Sequence, residues 1–549
     1  MHIIEDSKME KGDLERGDFA TDDITTAKNQ EKSSGENSAI DIESGSQDDT
    51  TKSTAINDES TEASTKPSSP QRSTVLLTDW DAGHIGWDSV DDPAYPQNFP
   101  SSKKWRNVAF IAMGSFIQPF ASTLFAPGEV YLADEFGITN QSLLSFMISV
   151  YLLGFGWGPL LYGPLSELFG RKATVCGSLL LLCMMGIGCS EATNGSMFIA
   201  FRFLSAYLGS AGSNVGGGTL ADLFERDKVG MASSLFAIGP LIGPIAGPIL
   251  GGFVAQSIGW RWSYRILVIL AAVLCVAYAL FVDETNQAVL LRRKTTSLKK
   301  KSGRTDLISI LALKRRHVPF RKVLWHNMSR PFRMLATVPI VQCLALYMSV
   351  VFSYLYIFFT TISPVFEKRY GFGTGVTGLA YIGLGTGLVI GVATIARSND
   401  NLVRHLTKTR GHGERKPEYR LPPMILCSIL IPVSLFWFGW SVQQRDHWIV
   451  PIIGMSLTGL GMIASLIPFQ TYIIDVFGPH GTSASATAAV NVARTTVGSV
   501  IPLLGPDIWA RLGYGWGCTT LAFIAWAICI PMTFAMLKYG TKIRKLSNL

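Results

Sequence analysis

From Trp105 onward the chain alternates between long apolar runs and short polar breaks. Each run is about 17–25 residues long, enough for a helix to cross a hydrocarbon core of about 30 Å. The pattern predicts twelve membrane-spanning helices, at 107–125, 143–163, 173–190, 198–220, 231–253, 264–282, 334–359, 377–396, 423–440, 449–470, 483–504 and 517–537. Six precede a long polar stretch and six follow it, which predicts an all-α polytopic membrane protein in two pseudo-symmetric six-helix halves. Residues 1–80 show no such pattern. They are rich in Ser, Thr, Asp, Glu and Lys with few aromatics, too little apolar surface to build a core. The expected organisation is a disordered acidic tail with a juxtamembrane segment (1–104), a first half (105–282), a basic central loop (283–333), a second half (334–537) and a short tail (538–549).

Charge sets the expected orientation. The chain is 48% hydrophobic and only 16% charged, with mean hydropathy +0.27. Residues 1–100 hold 22 acids and 8 bases, so of the 40 acids and 48 bases in all, the remainder holds 18 and 40. A pI near 9.0 alone would suggest a nucleic-acid binder, but these bases sit in loops between apolar runs. Stretch 283–333 carries 14 Lys and Arg against 3 acids, and 397–421 carries 7 against 3. Arg171-Lys172 and the tail with Lys538, Lys542, Arg544 and Lys545 are basic too, whereas 126–142 and 191–197 contain acids and no Lys or Arg. With twelve spans the basic segments named here share one side, so the positive-inside rule places both termini in the cytoplasm. No secretory signal precedes the tail, and the first span is expected to direct insertion.

Other chemistry is sparse. The eight cysteines lie in or beside apolar runs without C-x-x-C spacing, as small buried hydrophobes do. The eight histidines (His2, His84, His317, His326, His405, His412, His447 and His480) fall outside the predicted spans, which leaves carboxylates and arginines to handle protons within the membrane. There is no phosphate-binding G-x-x-x-x-G-K-[ST] loop for an ATP-driven pump, and no metal site is expected.

Several local patterns carry more. Gly163-Pro164-Leu165-Ser166-Glu167-Leu168-Phe169-Gly170-Arg171-Lys172 sets one carboxylate and two cations between two glycines, expected to make a tight turn between spans two and three; a plain positive-inside turn would account for Arg171 and Lys172 alone. Arg202 falls a few residues into span four. There an arginine costs about 2.5–3.5 kcal/mol to insert, so it faces a cavity or a partner, or snorkels outward. Span five contains Gly239, Pro240, Gly243, Pro244, Gly247, Pro248 and Gly251. Its every-fourth-residue glycines let another helix approach its backbone, and its prolines bend it; generic small-residue packing would explain the glycines but not the prolines. Ser205, Gly209, Ser213 and Gly217 form a like stripe on span four, and spans four and five are expected to pack through small residues. Asn491 and Arg494 stand one turn apart in span eleven, either lining a cavity or serving a structural partner. Glu129 is a further proton-site candidate, or else a loop acid after Pro127-Gly128. Gln118, Phe120, Tyr347 and Tyr354, with Phe352, Tyr356, Phe358 and Phe359, could wall a cavity for planar or cationic molecules, or face lipid and other helices. Asp222-Leu223-Phe224 and Asp475-Val476-Phe477, closing spans four and ten, hint at the internal repeat typical of secondary transporters.

The 163–172 pattern resembles the loop signature of the major facilitator superfamily, with Glu167 where the family often has Asp. The resemblance implies a cytoplasmic latch in which this acid and Arg171 meet Asp222 and the amino end of span eleven at Gly481-Thr482-Ser483-Ala484-Ser485. Arg202-Phe203-Leu204-Ser205-Ala206-Tyr207-Leu208-Gly209 resembles the family's span-four motif, whose arginine is tied to proton transfer. Span five resembles the motif that marks antiporters within the superfamily. The segment Trp87–Trp105 closely resembles the lead-in to the first span of fungal twelve-span drug:proton antiporters, and the likeness covers roughly 87–540. Arg265, where that branch usually has an aromatic, and Asp283-Glu284-Thr285, where it has Pro-Glu-Thr, depart from it.

The resemblance thus implies the major facilitator fold and export of drugs or other small organic molecules in exchange for protons. No enzymatic activity and no cofactor are expected, the proton gradient being the energy source. The partners implied are a small-molecule substrate, protons and the lipid bilayer, without nucleic acid, and the chain is expected to be a plasma-membrane monomer. Two alternatives remain at this stage. One is a facilitator or proton-coupled importer of a polyamine, sugar or other nutrient, though sugar-transporting relatives usually repeat the Gly-Arg-Arg/Lys signature in the second half. The other is a non-transporting nutrient sensor, which usually carries a long signalling extension.

Overall fold

The computed structural model describes residues 77–225, 228–314, 320–409, 416–479 and 481–546. The disorder expected for the tail concerns 1–76 chiefly, and these lie outside the described residues, as do His2, His317, His412 and His480.

The first half opens with α1 (Ser101–Leu124), which passes through a 3-10 turn at Ala126–Gly128 into α2 (Glu129–Phe136). Then come α3 (Gln141–Phe169), α4 (Arg171–Ser190), α5 (Gly195–Gly209), α6 (Ala211–Leu223), α7 (Val229–Ile258) and α8 (Arg261–Phe281). The central stretch holds α9 (Gln287–Ser302), α10 (Ile310–Lys314) and α11 (Phe320–Thr337). The second half comprises α12 (Pro339–Tyr370), α13 (Thr374–Leu379), α14 (Ile382–Thr409), α15 (Pro423–Gln444), α16 (Ile449–Phe477), α17 (Ser483–Val500) and α18 (Gly505–Leu546), the last kinked at Gly513.

Among the described residues ten segments are long and apolar enough to cross a membrane, and two further considerations bring the crossings to twelve. The segment Ser483–Arg544 has 62 residues, about 93 Å of helix at 1.5 Å per residue, enough for two crossings of a core of about 30 Å. Its backbone leaves helical geometry at Gly513 within α18, and it counts twice, giving eleven. Span four is the twelfth: α5 and α6, of 15 and 13 residues, are two pieces of one span interrupted at Ser210.

Helix ends follow local chemistry rather than hydropathy. Asn140 caps α3 by accepting from Ser142 N and Leu143 N, and Asn194 caps α5 by accepting from Met197 N. The apolar run of span two stops near residue 163, yet α3 continues through Pro164 to Phe169. Gly163 therefore lies inside a helix rather than in the expected turn. The chain reverses at Gly170 alone, whose φ of 97° is open to glycine.

The central stretch and the segment before α1 are not the simple loop and tail expected. Asn286 caps α9, and Leu291 on its apolar face is buried against Trp87 and Tyr95. Lys294 Nζ bonds Asp88 Oδ1 at 2.7 Å and Gly86 O at 3.0 Å. β1 (His84–Ile85) pairs in parallel with β2 (Ile308–Ser309), His84 opposite Ile308. Residues 77–100 are thus a strap folded onto the central stretch, and they order because α9 offers them an apolar face that neither segment could bury alone.

Candidate functional site

The centre of the bundle is built around two arginines. Arg202, on α5, is fully buried. Its Nη2 donates to Ser122 O at 2.8 Å and its Nη1 to the Tyr264 hydroxyl, while Phe125 and Tyr151 present ring faces, each 5.2 Å from the guanidinium carbon. An aromatic cage spreads the charge by cation–π attraction where water is excluded. Nε has no hydrogen-bond partner among the described residues. Arg202 therefore does not snorkel.

Arg494, on α17, is 9% exposed and lies 3.9 Å above the Phe352 ring. Its Nε and Nη1 have no hydrogen-bond partner among the described residues, and neither do Asn491 Oδ1 and Gln118 Nε2. Buried polar groups are rarely left so. A chain of polar contacts links the two halves here. Tyr151 donates to Gln118 Oε1 at 2.6 Å, and Ser122 and Tyr356 share a hydrogen bond of 2.8 Å across the boundary between halves. Tyr356 was visible in the sequence only as one of a run of aromatics, while Ser122, Tyr151 and Tyr264 gave no signal.

Two expected wall residues belong elsewhere. Tyr347 donates to Met424 O at 2.7 Å and Tyr354 to Leu521 O at 2.8 Å, so both hydroxyls tie α12 to its own half, on α15 and α18. Phe120 stacks on Phe116 at 5.1 Å, with its backbone against Gly243 of α7.

Helix α7 joins the halves. A Cβ at Gly239 would meet Ala112 O at 2.4 Å, at Gly243 Phe120 N at 2.8 Å, at Gly247 Thr123 Oγ1 at 2.3 Å and at Gly251 Leu124 O at 1.8 Å. The whole stripe therefore lies on the backbone of α1. Its other side meets the second half: Pro248 O stands where a Cβ at Gly378 would be, and Gln256 Oε1 accepts from Gly375 N at 2.7 Å. Pro244 lies in the same helix, between these contacts. Span four also packs through small residues, and its neighbour there is again α1: Gly212 and Ser213 of α6 approach Gly114 and Ser115. Glycines on α7 and α6 both seek the same narrow backbone, and α1 takes both.

At one end of the bundle Arg171, at the start of α4, bonds Asp222 Oδ2 from Nε at 3.1 Å and Ser166 Oγ from Nη1 at 2.6 Å. Glu284, 5% exposed, caps α4 by accepting from Arg171 N at 2.8 Å and Lys172 N at 3.3 Å. A carboxylate there meets the unpaired N–H groups and partial positive charge of a helix start. Its role was hidden because it lies 113 residues away in a segment noticed only as a departure. Glu167 is exposed on the last turn of α3. Above this end the halves are zipped together: Ser149 donates to Ser499 O at 2.7 Å, Trp157 to Thr496 Oγ1 at 3.2 Å, and Phe332 of α11 lies against Trp157.

At the opposite end the halves part around a cavity of about 240 Å³. Glu129 begins α2 and is 5% exposed on its wall, facing Thr360, Thr361 and Lys368 of α12 and Trp509 of α18.

The comparisons with known proteins agree on what such a bundle is. The Major Facilitator Superfamily matches residues 111–502. The MFS transporter cpaT of Aspergillus oryzae is 40% identical over 84% of this chain and 91% of its own length. The MFS-type transporter penM of Penicillium rubens is 41% identical over 84% and 90%, and the efflux pump radE of Floropilus chiversii 38% over 84% and 85%. Among solved structures, the xylose transporter XylE from E. coli, in a partially occluded inward open conformation, matches 80% of this chain and 98% of its own with a TM-score of 0.59. At 15% identity that likeness speaks for the fold alone. Twelve crossings in two halves, a polar centre between them and an arginine–aspartate pair at one end make this chain a multi-pass membrane transporter, not an enzyme, and a member of the major facilitator superfamily.

Proposed function

We propose that the chain is a proton-coupled antiporter that exports drugs or other small organic molecules, with both termini and the Arg171 end in the cytoplasm of a plasma-membrane protein. The observation that carries this reading is α7. Its glycine stripe lies directly on α1 while its other side bears on α13 of the opposite half, so one proline-containing helix seals the boundary along which the halves move. A seam that holds against a gradient matters most to a pump that must not leak. The relative named as an efflux pump favours the same direction.

In this reading Arg202, Arg494 and Glu129 couple proton movement to transport. Arg494, Asn491 and Gln118, each with a buried polar atom left without a hydrogen bond among the described residues, receive the substrate between the halves. Glu167, Arg171, Lys172 and Asp222, with Gly163 and Gly170 around them, form the cytoplasmic gate. The halves rock to expose the centre to one side and then the other, the closed Arg171 end and the cavity at the Glu129 end representing one extreme. One charge moving through about 100 mV supplies about 2.3 kcal/mol, roughly a 50-fold accumulation of a neutral substrate. The proton gradient thus suffices without a cofactor, and a monomer contains the whole machinery.

The test is efflux of a panel of labelled drugs and spermidine from cells with and without this chain, before and after the proton gradient is collapsed. Gradient-dependent efflux of several unrelated compounds is expected. Uptake, or movement indifferent to the gradient, would overturn the export reading.

A further inference from the structure

The cavity at the Glu129 end is separate from the polar centre: neither Arg494 nor Asn491 nor Gln118 lines it. We propose that it is a second ligand site, taking a small aromatic molecule that carries a protonated amine, such as a bicyclic arylalkylamine. The site itself does not rest on the export reading; only its place as a stop along an export route does.

Its charge favours a cation. The Glu129 carboxylate is nearly buried while Lys368 is exposed. A carboxylate withdrawn from water gains much from an incoming ammonium, whereas an exposed lysine gains little from an incoming anion. A second carboxylate, Glu367, stands half-buried beside Lys368 on α12. Its Oε1 is buried and has no hydrogen-bond partner among the described residues. Of the two charged side chains that line the cavity, Glu129 and Lys368, the buried carboxylate is thus the stronger partner for a ligand charge.

Its shape favours a flat ring. Trp509 and Tyr514 stack at 5.6 Å with their planes 26° apart, and both line the cavity. The Trp509 indole is held in place by donating to Thr361 Oγ1 at 3.3 Å. Arg369 already sits over Tyr514, 5.5 Å from its ring centre, so the Trp509 indole is the platform for a ligand ring. Aromatic faces attract both stacked rings and cations. The volume, about 240 Å³, is below the roughly 300–1,000 Å³ typical of pockets for drug-sized ligands, which sets the limit at about two fused rings and a short amine arm.

The experiment measures binding to the purified full chain in lipid nanodiscs, with tryptamine, its neutral analogue tryptophol and the anion indole-3-acetate as probes. Tryptamine should bind saturably and at least tenfold more tightly than tryptophol, with indole-3-acetate weakest. Glu129→Gln should lower tryptamine affinity at least tenfold and leave tryptophol unchanged. Lys368→Gln should raise it several-fold, a gain that no folding defect can imitate. Asn491→Ala, at the centre, should alter efflux but not this binding. The proposal is overturned if tryptamine shows no saturable binding, if indole-3-acetate binds best, if Lys368→Gln weakens tryptamine, or if Asn491→Ala abolishes its binding. Failure of gradient-driven efflux in the drug panel would instead remove the export reading and leave these binding results standing.

Discussion

Arg420 donates from Nε to Asp475 Oδ2 at 2.6 Å, and the pair occupies the place in the second half that Arg171 and Asp222 occupy in the first. Asp222 lies near the end of α6 and Asp475 near the end of α16, while the arginines stand at or just before the starts of α4 and α15. The echo between Asp222-Leu223-Phe224 and Asp475-Val476-Phe477 is therefore a structural equivalence, although the loop before α15 lacks the glycine-flanked motif before α4. The halves differ in what supports each pair. Glu284 caps α4 in the first, whereas Arg544 reaches back to Glu418 at 2.9 Å in the second.

Each pair ties helices of its own half together at the Arg171 end, and each is expected to hold the shape of that half rather than to bridge the two. Their side chains are 11–25% exposed, so each is worth less than a fully buried pair, about 1.5 kcal/mol rather than 3. Asp222→Asn and Asp475→Asn should each lower thermal stability in detergent by that order and reduce transport. The exchange Arg171→Asp with Asp222→Arg should recover part of the loss. A double exchange no better than either single change would show that the pair is not the fastening.

The α7 seam gives a graded prediction. A Cβ at Gly251 would stand 1.8 Å from Leu124 O, a backbone atom that cannot swing away, whereas a Cβ at Gly217 has nothing within 4 Å. Gly251→Ala should fail to give a monodisperse protein on size exclusion. Gly217→Ala should stay within about 0.5 kcal/mol of the parent. Equal tolerance at both positions would mean that α1 and α7 are farther apart than described.

Where the sequence was legible, physics left one answer. An apolar run of some twenty residues has to cross, so the crossings could be counted, and a stripe of glycines has to meet a backbone. It could not say whose. The α7 stripe turned to α1, as did Gly212 and Ser213 of α6, while Gly217 met nothing, because which face points where depends on the other helices. The same gap misplaced Tyr347 and Tyr354. Helix α12 is aromatic on several faces, and only the tertiary arrangement shows that Tyr356 looks across to Ser122 while its neighbours look into their own half. Glu284 was missed for another reason: a cap supplied from 113 residues away leaves no local pattern.

That division of α12 can be tested by removing single oxygens. Tyr356→Phe breaks the link to Ser122 across the halves and should change transport more than stability. Tyr347→Phe breaks a bond within the second half, leaves Met424 O with the Ser428 hydroxyl as donor at 2.9 Å, and should cost about 1 kcal/mol with transport per folded molecule unchanged. Export assays normalised to folded protein separate the two. If Tyr347→Phe proves the transport variant, the substrate wall has been assigned to the wrong face.

Arg202 fills its cage by volume as well as by charge. Arg202→Ala should abolish export and, unlike a surface change, also destabilise the fold, since a buried side chain and its ring contacts are lost together. Arg202→Lys keeps the charge but not the planar fork that bonds both Ser122 O and Tyr264. It should keep most of the stability and lose most of the export. A lysine variant that pumps normally would reduce Arg202 to a counter-charge with no part in coupling.

The strap has a pH signature of definite sign. Burial raises the Asp92 carboxyl, but the N–H groups of Asp88 and Ala94 and the Lys294 ammonium outweigh it, so the group titrates below its ordinary 3.8. A carboxylate with a depressed folded value contributes stability that is fully present above 3.8 and is lost as pH falls through the lower folded value. The strap should therefore stay docked throughout the neutral and mildly acidic range and release only in stronger acid. Trp87, buried against Leu291, reports this through its own resonance in protein labelled with 5-fluorotryptophan. Asp92→Asn should flatten the acid transition, and Lys294→Ala should loosen the strap even at neutral pH by removing the cation that bonds Asp88 and lies 3.6 Å from Asp92. Release well above pH 3.8, or an acid transition unchanged in Asp92→Asn, would show that some other group holds the strap in place.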